Sequence, residues 1–468
     1  MKEDPIIKIE SMATTGSAIG YLDKLVVFVE KAVPGDLVKL RIKKKKKNYM
    51  EATVAELLEP SPSRVNPTCS HAGLCGGCKW QHIDYQEQLR YKQQQVTDNL
   101  VKLAKVPIGM IHDIVPSEKQ YYYRNKLEFT FSNKRWLYKE EINSGETIER
   151  SGLGFHLPGQ FDKVLDVEKC HLQADPSNEI RTLVRKYAQE KGMSFYNINT
   201  HEGFLRNLIV RTTTTGEVMV ILQVAYEDLE EISGILEVLK KHISPITSLN
   251  YVINSKKNDT FLDLPVHAWH GKPFISETFK KPDNGGVLHF KISPKSFFQT
   301  NSKQAEILYK TAWEFASLTG SEIVYDLYTG TGTIANYVAG SAKKVIGIEY
   351  VPEAIEDAKE NSILNNIHNT SFFAGDLKDI LNDEFVTNHG KPDILICDPP
   401  RAGMHEEVCH QLLTMSPDKI VYISCNPATQ ARDITILASK YEVTRVQPVD
   451  MFPHTPHVEN IALLILKK

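Results

Sequence analysis

No apolar run in this chain approaches the roughly 18–20 residues that a membrane span needs. Behind Met1-Lys-Glu-Asp-Pro5 there is no apolar signal core, so a cytoplasmic protein is expected. Cysteine is scarce, seven in 468 residues, and an odd count in a chain without an export signal argues against a disulfide scaffold. The few thiols present are better candidates for metal binding or catalysis. Net charge is only −3, which excludes a uniformly basic polyanion binder. The 41% hydrophobic and 24% charged residues are ordinary for a globular chain. The length is too great for one core and suggests two or three domains.

The even overall charge hides a local excess. Residues 1–50 hold 11 Lys or Arg against 6 Asp or Glu, with five consecutive lysines at Lys43–Lys47. Such a run is either a solvated face or a contact for a phosphate backbone. The same region alternates short apolar segments (6–9, 25–29, 37–42, 52–56) with turns at Thr15-Gly16 and Pro34-Gly35. That spacing predicts a small β-barrel of the oligonucleotide-binding type. The wording Gly20-Tyr21, 26–29 Val-Val-Phe-Val, 33–36 Val-Pro-Gly-Asp and 61–64 Ser-Pro-Ser-Arg resembles a TRAM domain, an RNA-binding barrel.

A Pro/Ser linker at 60–63 leads to Cys69, Cys75 and Cys78, relaxed by Gly73, Gly76 and Gly77. Three cysteines in ten residues are spaced to wrap one metal centre. Zinc could take them with His71 or a remote ligand. The one other cysteine before the C-terminal region, Cys170, completes a thiolate set suited to a [4Fe–4S] cluster, the favoured reading. Residues 84–105 read as a helix rich in Gln and Lys that could pack on the C-terminal domain. Tyr121, Tyr122, Tyr123 and Arg124 open a predicted strand; they could stack bases and meet phosphates, or simply anchor a sheet. Strands and helical segments then alternate as an α+β region to about 290.

The C-terminal region carries the chemistry. Residues 323–333 read as a strand, a glycine turn at Gly330 and Gly332, and a helix start whose free amides suit a bound ligand. Twenty-three residues after Asp326 a second strand ends in Glu349, placed to bind ribose hydroxyls. There is no P-loop Lys-Ser/Thr, and the Gly-x-Gly-x-x-Gly pattern is incomplete. With the Asp398-Pro-Pro exit, S-adenosyl-L-methionine fits better than a nicotinamide cofactor. A further apolar strand, 420–424, ends at Cys425 and is broken by Asn426-Pro427. Glu459 lies just before the closing apolar run 461–466. A thiol and a carboxylate in one α/β domain suggest a nucleophile and a base. Cys397 and Cys409 read as core packing.

Five stretches occur in the order seen in RNA (uracil-5-)-methyltransferases: 296–301 Ser-Phe-Phe-Gln-Thr-Asn, 326–332 Asp-Leu-Tyr-Thr-Gly-Thr-Gly, 398–401 Asp-Pro-Pro-Arg, 424–427 Ser-Cys-Asn-Pro and 457–460 His-Val-Glu-Asn. With the barrel and the four cysteines, the chain most resembles the 23S ribosomal RNA branch. That resemblance implies a multidomain protein: a TRAM-like barrel over 1–61, an α+β central domain with an iron–sulfur site over 62–290, and a Rossmann-like methyltransferase domain over 291–468. It implies that Gln299, Tyr328, Glu349, Asp376 and Asp398 line the cofactor site, with Asp376 near the adenine. Phe297 and Asp398 would also face the target base. Tyr328 stands where many relatives carry Phe. Cys425 would add to C6 of a uracil, and Glu459 would remove the C5 proton. RNA is the implied partner and a monomer the expected state. Three other readings compete: a tRNA uridine C5-methyltransferase, an amino-methylating nucleic-acid enzyme, for which Asp398-Pro-Pro-Arg401 is also suggestive, and an RNA-binding or iron–sulfur module with a vestigial cofactor fold.

Overall fold

The computed structural model describes residues 4–283 and 285–468. Five strands close the N-terminal barrel: β1 (Ile6–Met12), β2 (Ala18–Leu22), β3 (Leu25–Glu30), β4 (Leu37–Lys45) and β5 (Tyr49–Glu59), in the order β1-β2-β3-β5-β4. Alternate residues turn inward, as a pleated strand demands, so Val27, Val29, Val38 and Leu40 are fully buried. Strand β2 is absent from the sequence reading because Gly20 weakens its pattern. A Cβ at Gly20 would stand 2.9 Å from the Lys8 carbonyl oxygen, so the glycine is what lets β1 and β2 approach. Lys43–Lys47 form an exposed end of the β4–β5 hairpin, with Lys43 paired to Glu30.

The central region is built on a seven-stranded sheet. Its strands are β6 (Lys126–Ser132), β7 (Gly152–Leu157), β8 (Gln160–Asp166), β9 (Leu205–Thr212), β10 (Val218–Val224), β11 (Ile246–Ile253) and β12 (His267–Gly271), ordered β12-β11-β10-β9-β6-β7-β8. Helices Ser177–Glu190 and Leu229–His242 cover one face, packing on Leu208, Val210, Val220 and Leu222. The intervening residues Ile209, Met219 and Ile221 point the other way, into a core shared with the C-terminal region. Both faces are therefore dry, which is why β10 is buried along its whole length and shows no polar alternation. The tyrosine run does not open a strand: β6 begins at Lys126, after a single isolated bridge from Arg124 to Gln173, and Tyr122 has a left-handed φ of 56°.

A hairpin of β13 (Ile275–Lys280) and β14 (Val287–Ile292) precedes a second seven-stranded sheet. This sheet contains β15 (Ile323–Leu327), β16 (Lys344–Glu349), β17 (Thr370–Ala374), β18 (Ile394–Cys397), β19 (Lys419–Ser424), β20 (Tyr441–Val449) and β21 (Glu459–Leu466), ordered β17-β16-β15-β18-β19-β21-β20. The first five run parallel and β21 is antiparallel to β19. Strand order reverses at β15, so a crevice opens beyond the carboxyl ends of β15, β16 and β18. Cys397 and Cys409 lie fully buried in this core. The Gln-rich helix spans Tyr85–Lys102, capped by Asp84, and its Val96 and Leu100 pack with Ala431 and Ile434 of helix Pro427–Leu437. No helix among the described residues is long and apolar enough to cross a membrane.

Candidate active site

The register of β19 and β21 brings the thiol and the late carboxylate together. Ser424 pairs with Asn460 across the antiparallel ladder, so Cys425 and Glu459 occupy the next step at the same end. Asn426 stops the strand: its side chain accepts the Ala428 N–H, and Pro427 starts the helix where a missing donor costs nothing. Cys425 is thus held, half-buried, in a strand-to-helix turn. Gln430 clamps the two strand ends, donating to the carbonyls of Tyr422 (2.9 Å) and Asn460 (3.2 Å) while accepting from Asn460 Nδ2 (2.6 Å).

Asp398 follows the end of β18 and completes an acidic pocket around the thiol. Burial pushes its carboxyl up to about 7. Burial, and then the Asp398 charge, holds Glu459 well above the ordinary carboxylate range. Asp398 is half-buried and Glu459 buried, and two neighbouring carboxyls so placed cannot both ionise cheaply, so a proton is retained between them near neutrality. Burial and then the charges of Glu459 and Asp398 push the Cys425 thiol up to about 11, while Arg401 opposes them. His457 is depressed to about 4, chiefly by burial and then by Arg401, and stays neutral.

A cleft of about 710 Å³ lies beside this pocket, and its walls include Tyr328, Glu349, Tyr350, Asp376 and Pro400. Glu349 accepts the Gly330 N–H (3.1 Å) and the Val351 N–H (3.1 Å), which fixes the glycine turn beneath it. Gly332 has a φ of 73°, and a Cβ there would stand 2.8 Å from the Ala358 side chain. Asp326 is fully buried; one carboxylate oxygen accepts from Thr329 and the Ala335 N–H, and the other has no partner. That orphaned acceptor under a glycine turn, with Glu349 on the neighbouring strand, fits a nucleoside-type ligand. Asp376 caps the short helix Leu377–Ile380 and pairs with Lys378. Tyr328, Glu349 and Asp376 therefore share one cleft, whereas Gln299 and Asp398 lie outside its lining. Gln299 is buried in the segment before helix Ser302–Ala316, its carbonyl accepting from Asn125. Phe297, two residues earlier, is 70% exposed.

All four cysteines outside the C-terminal region line one cavity of about 200 Å³: Cys69, Cys75, Cys78 and Cys170. No disulfide joins them. Burial and the neighbouring thiols push Cys78 up to about 12, and burial pushes Cys170 up to about 11. Such thiols ionise readily only beside a cation. His71 is a poor fourth ligand, because its Nε2 accepts the Glu168 N–H at 2.9 Å and its Nδ1 then carries the proton. Among the described residues no three His, Cys, Asp or Glu groups are arranged to hold a single metal ion.

Sequence reasoning gave no role to Arg401, His457, Gln430 or Asp450. Arg401 and His457 sit inside quoted motifs, so their signal was present, whereas the Gln430 clamp depends on strand pairing that no local pattern reveals. The tyrosine trio divides its duties. Tyr123 is buried and donates to the Pro453 carbonyl (3.0 Å), Tyr121 lies 4.5 Å from the His454 ring, and Tyr122 is 41% exposed.

The strand order, the glycine turn and the adjoining cleft define an S-adenosyl-L-methionine-dependent methyltransferase fold, preceded by a closed barrel that matches the TRAM domain over residues 7–55. Residues 212–468 match the tRNA (uracil-5-)-methyltransferase family, and the chain belongs to that family. An uncharacterized RNA methyltransferase of Bacteroides thetaiotaomicron is 55% identical over 460 residues, covering 97% of this chain and 100% of its own. One from Chlorobaculum tepidum is 41% identical, covering 92% and 89%. Among solved structures, the Pyrococcus abyssi tRNA (uracil-54, C5)-methyltransferase in complex with S-adenosyl-L-homocysteine superposes with a TM-score of 0.75 at 28% identity, covering 98% of this chain and 99% of that one.

Proposed function

We propose that this protein methylates C5 of a uridine in 23S ribosomal RNA through a transient bond between Cys425 Sγ and C6 of the base. The placement of Cys425 and Glu459, each one residue beyond the Ser424–Asn460 pair that joins β19 to β21, carries this reading. Uracil C5 is a poor nucleophile, and its proton cannot be removed directly. Cys425 loses its proton to solvent, so that Glu459 stays ionised for the later step, and its sulfur forms a bond to C6. The C5–C6 π electrons move into the ring as an enolate, whose C5 attacks the methyl group. S-adenosyl-L-methionine, when bound, supplies that methyl as an electrophile on a sulfonium. Glu459 then takes the C5 proton, the C5–C6 double bond reforms, and the Cys425 thiolate leaves. Asp398 holds the uracil edge, and Phe297 offers a face to a base taken out of its stack.

Glu349 is assigned to the ribose hydroxyls, Asp376 to the adenine side, and Tyr328 and Gln299 to the rest of the cofactor. The four cysteines are assigned to a [4Fe–4S] cluster; the four thiols lining one cavity and the occupied Nε2 of His71 support a four-thiolate site over zinc held by three cysteines and the histidine. The protein is read as a cytoplasmic monomer divided near residues 61 and 290.

A tRNA uridine is the second reading. The Pyrococcus enzyme, named for its action on tRNA, aligns over 98% of this chain, so the overall domain arrangement does not by itself select ribosomal RNA. Incubating the protein with undermodified 23S RNA and with unmodified tRNA, each with labelled methyl donor, tests both readings. Mapping of 5-methyluridine to 23S RNA is expected. Label confined to tRNA overturns the RNA assignment, and label on an exocyclic amine overturns the chemistry.

A further inference from the structure

Glu459 is the end of a buried strap. The chain leaves the sheet at Val449 and rejoins it at Glu459, and these two residues pair with each other on the same rung. The excursion between them, Asp450–Val458, is almost wholly buried. Its anchors come largely from outside the catalytic sheet. Lys92, on helix Tyr85–Lys102, donates to Asp450 Oδ1 at 2.5 Å and to the Phe452 carbonyl at 3.0 Å, and both charged side chains are completely buried. Tyr85 of the same helix donates to Asp450 Oδ2 at 2.8 Å.

Gln88, between them, accepts the His454 N–H at 2.8 Å and donates to the carbonyls of Trp80 and Ile83. Trp80, two residues past Cys78, donates its N–H to the His454 carbonyl at 2.9 Å. His454 has a φ of 66°, a left-handed backbone that a residue other than glycine keeps only when its surroundings hold it. Both of its backbone polar groups are held, one by Gln88 and one by Trp80.

The turn that holds the nucleophile has anchors of its own. Cys425 follows β19, which is locked between β18 and β21, and its turn is fixed by Asn426 and Gln430. Glu459 joins the strap to β21, which β19 and Gln430 hold only from Asn460 onward, so slack in the strap acts on the Glu459 carboxylate before it reaches the sulfur. A base must stand within hydrogen-bond reach of the proton it removes, and small misplacements are costly.

We propose that Gln88 and Lys92 are positioning residues of the methylation reaction: through the strap they set where Glu459 stands, and so control removal of the C5 proton rather than transfer of the methyl group. The proposal rests on the assignment of Glu459 as the base.

The test separates the two steps in the full-length protein, using undermodified 23S RNA and labelled methyl donor. Gln88→Met removes the acceptor of the His454 N–H at nearly constant length. The pair Lys92→Met with Asp450→Asn removes the ion pair without stranding a buried charge, and is read where Gln88→Met does not fold. Methyl incorporation in the first turnover is expected to stay within about twofold, while steady-state turnover falls about tenfold and RNA accumulates as a covalent adduct on denaturing gels. First-turnover methylation and steady-state turnover falling together without adduct would overturn the proposal, as would folded variants that behave like the parent. Glu459→Gln is run alongside. Adduct there but in neither of the other variants removes the positioning role alone; no adduct there removes the base assignment, and the proposal with it.

Discussion

Cys425 and Glu459 stand one step beyond the Ser424–Asn460 pair, at the end of the sheet where β19 finishes and the antiparallel β21 begins. Opposed residues on such a ladder lie about 4.5–5.5 Å apart between Cα atoms. A sulfur bonded to one carbon of a pyrimidine and a carboxylate facing the adjacent carbon need that kind of separation. The same closeness has an electrostatic cost, because the Glu459 charge raises the thiol it stands beside.

Glu459→Gln is expected to stop the reaction after methyl transfer. The amide cannot accept the C5 proton, so the double bond does not reform and sulfur stays bonded to C6. Denaturing gels should show RNA and protein migrating together, with one methyl group per adduct by mass spectrometry. Free methylated RNA released at the parent rate would remove Glu459 from the mechanism.

Thiol reactivity in the free enzyme should follow the charges around Cys425. Alkylation by iodoacetamide, read at the Cys425 peptide, is expected to climb with pH toward an inflection near the thiol's value of about 11. The sign for a neighbouring carboxylate is fixed: its negative charge disfavours the thiolate, so its removal lowers the thiol pKa. Asp398→Asn should therefore speed alkylation above about pH 7, where Asp398 is ionised, and should change it little below. Arg401→Met should act the other way, since Arg401 favours the thiolate.

These local features were legible in the sequence because each is written in consecutive residues. A β-branched run ending in Cys-Asn-Pro marks a strand exit, and glycines after Asp326 mark a turn before a helix. Elements whose cause is distant were not legible. Lys92 and Asp450 are 358 residues apart, and nothing in either segment announces that two buried charges will meet. Strand β10 shows no alternation because both of its faces are covered, one of them by the shared core. The tyrosine run was assigned to a strand on aromatic content, yet Tyr122 takes a left-handed turn and Tyr123 is committed to the Pro453 carbonyl.

Glu349→Ala should weaken binding of the cofactor product, S-adenosyl-L-homocysteine, in calorimetry. Hydrogen bonds to a charged group contribute about 1.5–3 kcal/mol, which corresponds to a loss of about 10- to 150-fold in affinity. The substitution also frees the Gly330 and Val351 N–H groups that the carboxylate now holds. Glu349→Gln retains an acceptor for one of them and is expected to lose less. Unchanged affinity in Glu349→Ala would place the adenosine elsewhere.

The four-cysteine cavity lies two residues from Trp80, so its contents bear on the strap that ends in Glu459. Burial first, and then the nearness of Cys75, Cys170 and Cys69, raises the Cys78 thiol. Cys78→Ser removes one of the four thiolates a cluster needs. Anaerobically prepared parent protein is expected to carry about four irons and a broad brown absorbance, and Cys78→Ser to lose both. Zinc in the parent, with no iron and no visible absorbance, would overturn the cluster assignment. His71→Ala should leave iron content unchanged, because the imidazole nitrogen that could bind a metal already accepts the Glu168 N–H. A loss of metal in that variant would show instead that the histidine rotates to become a ligand.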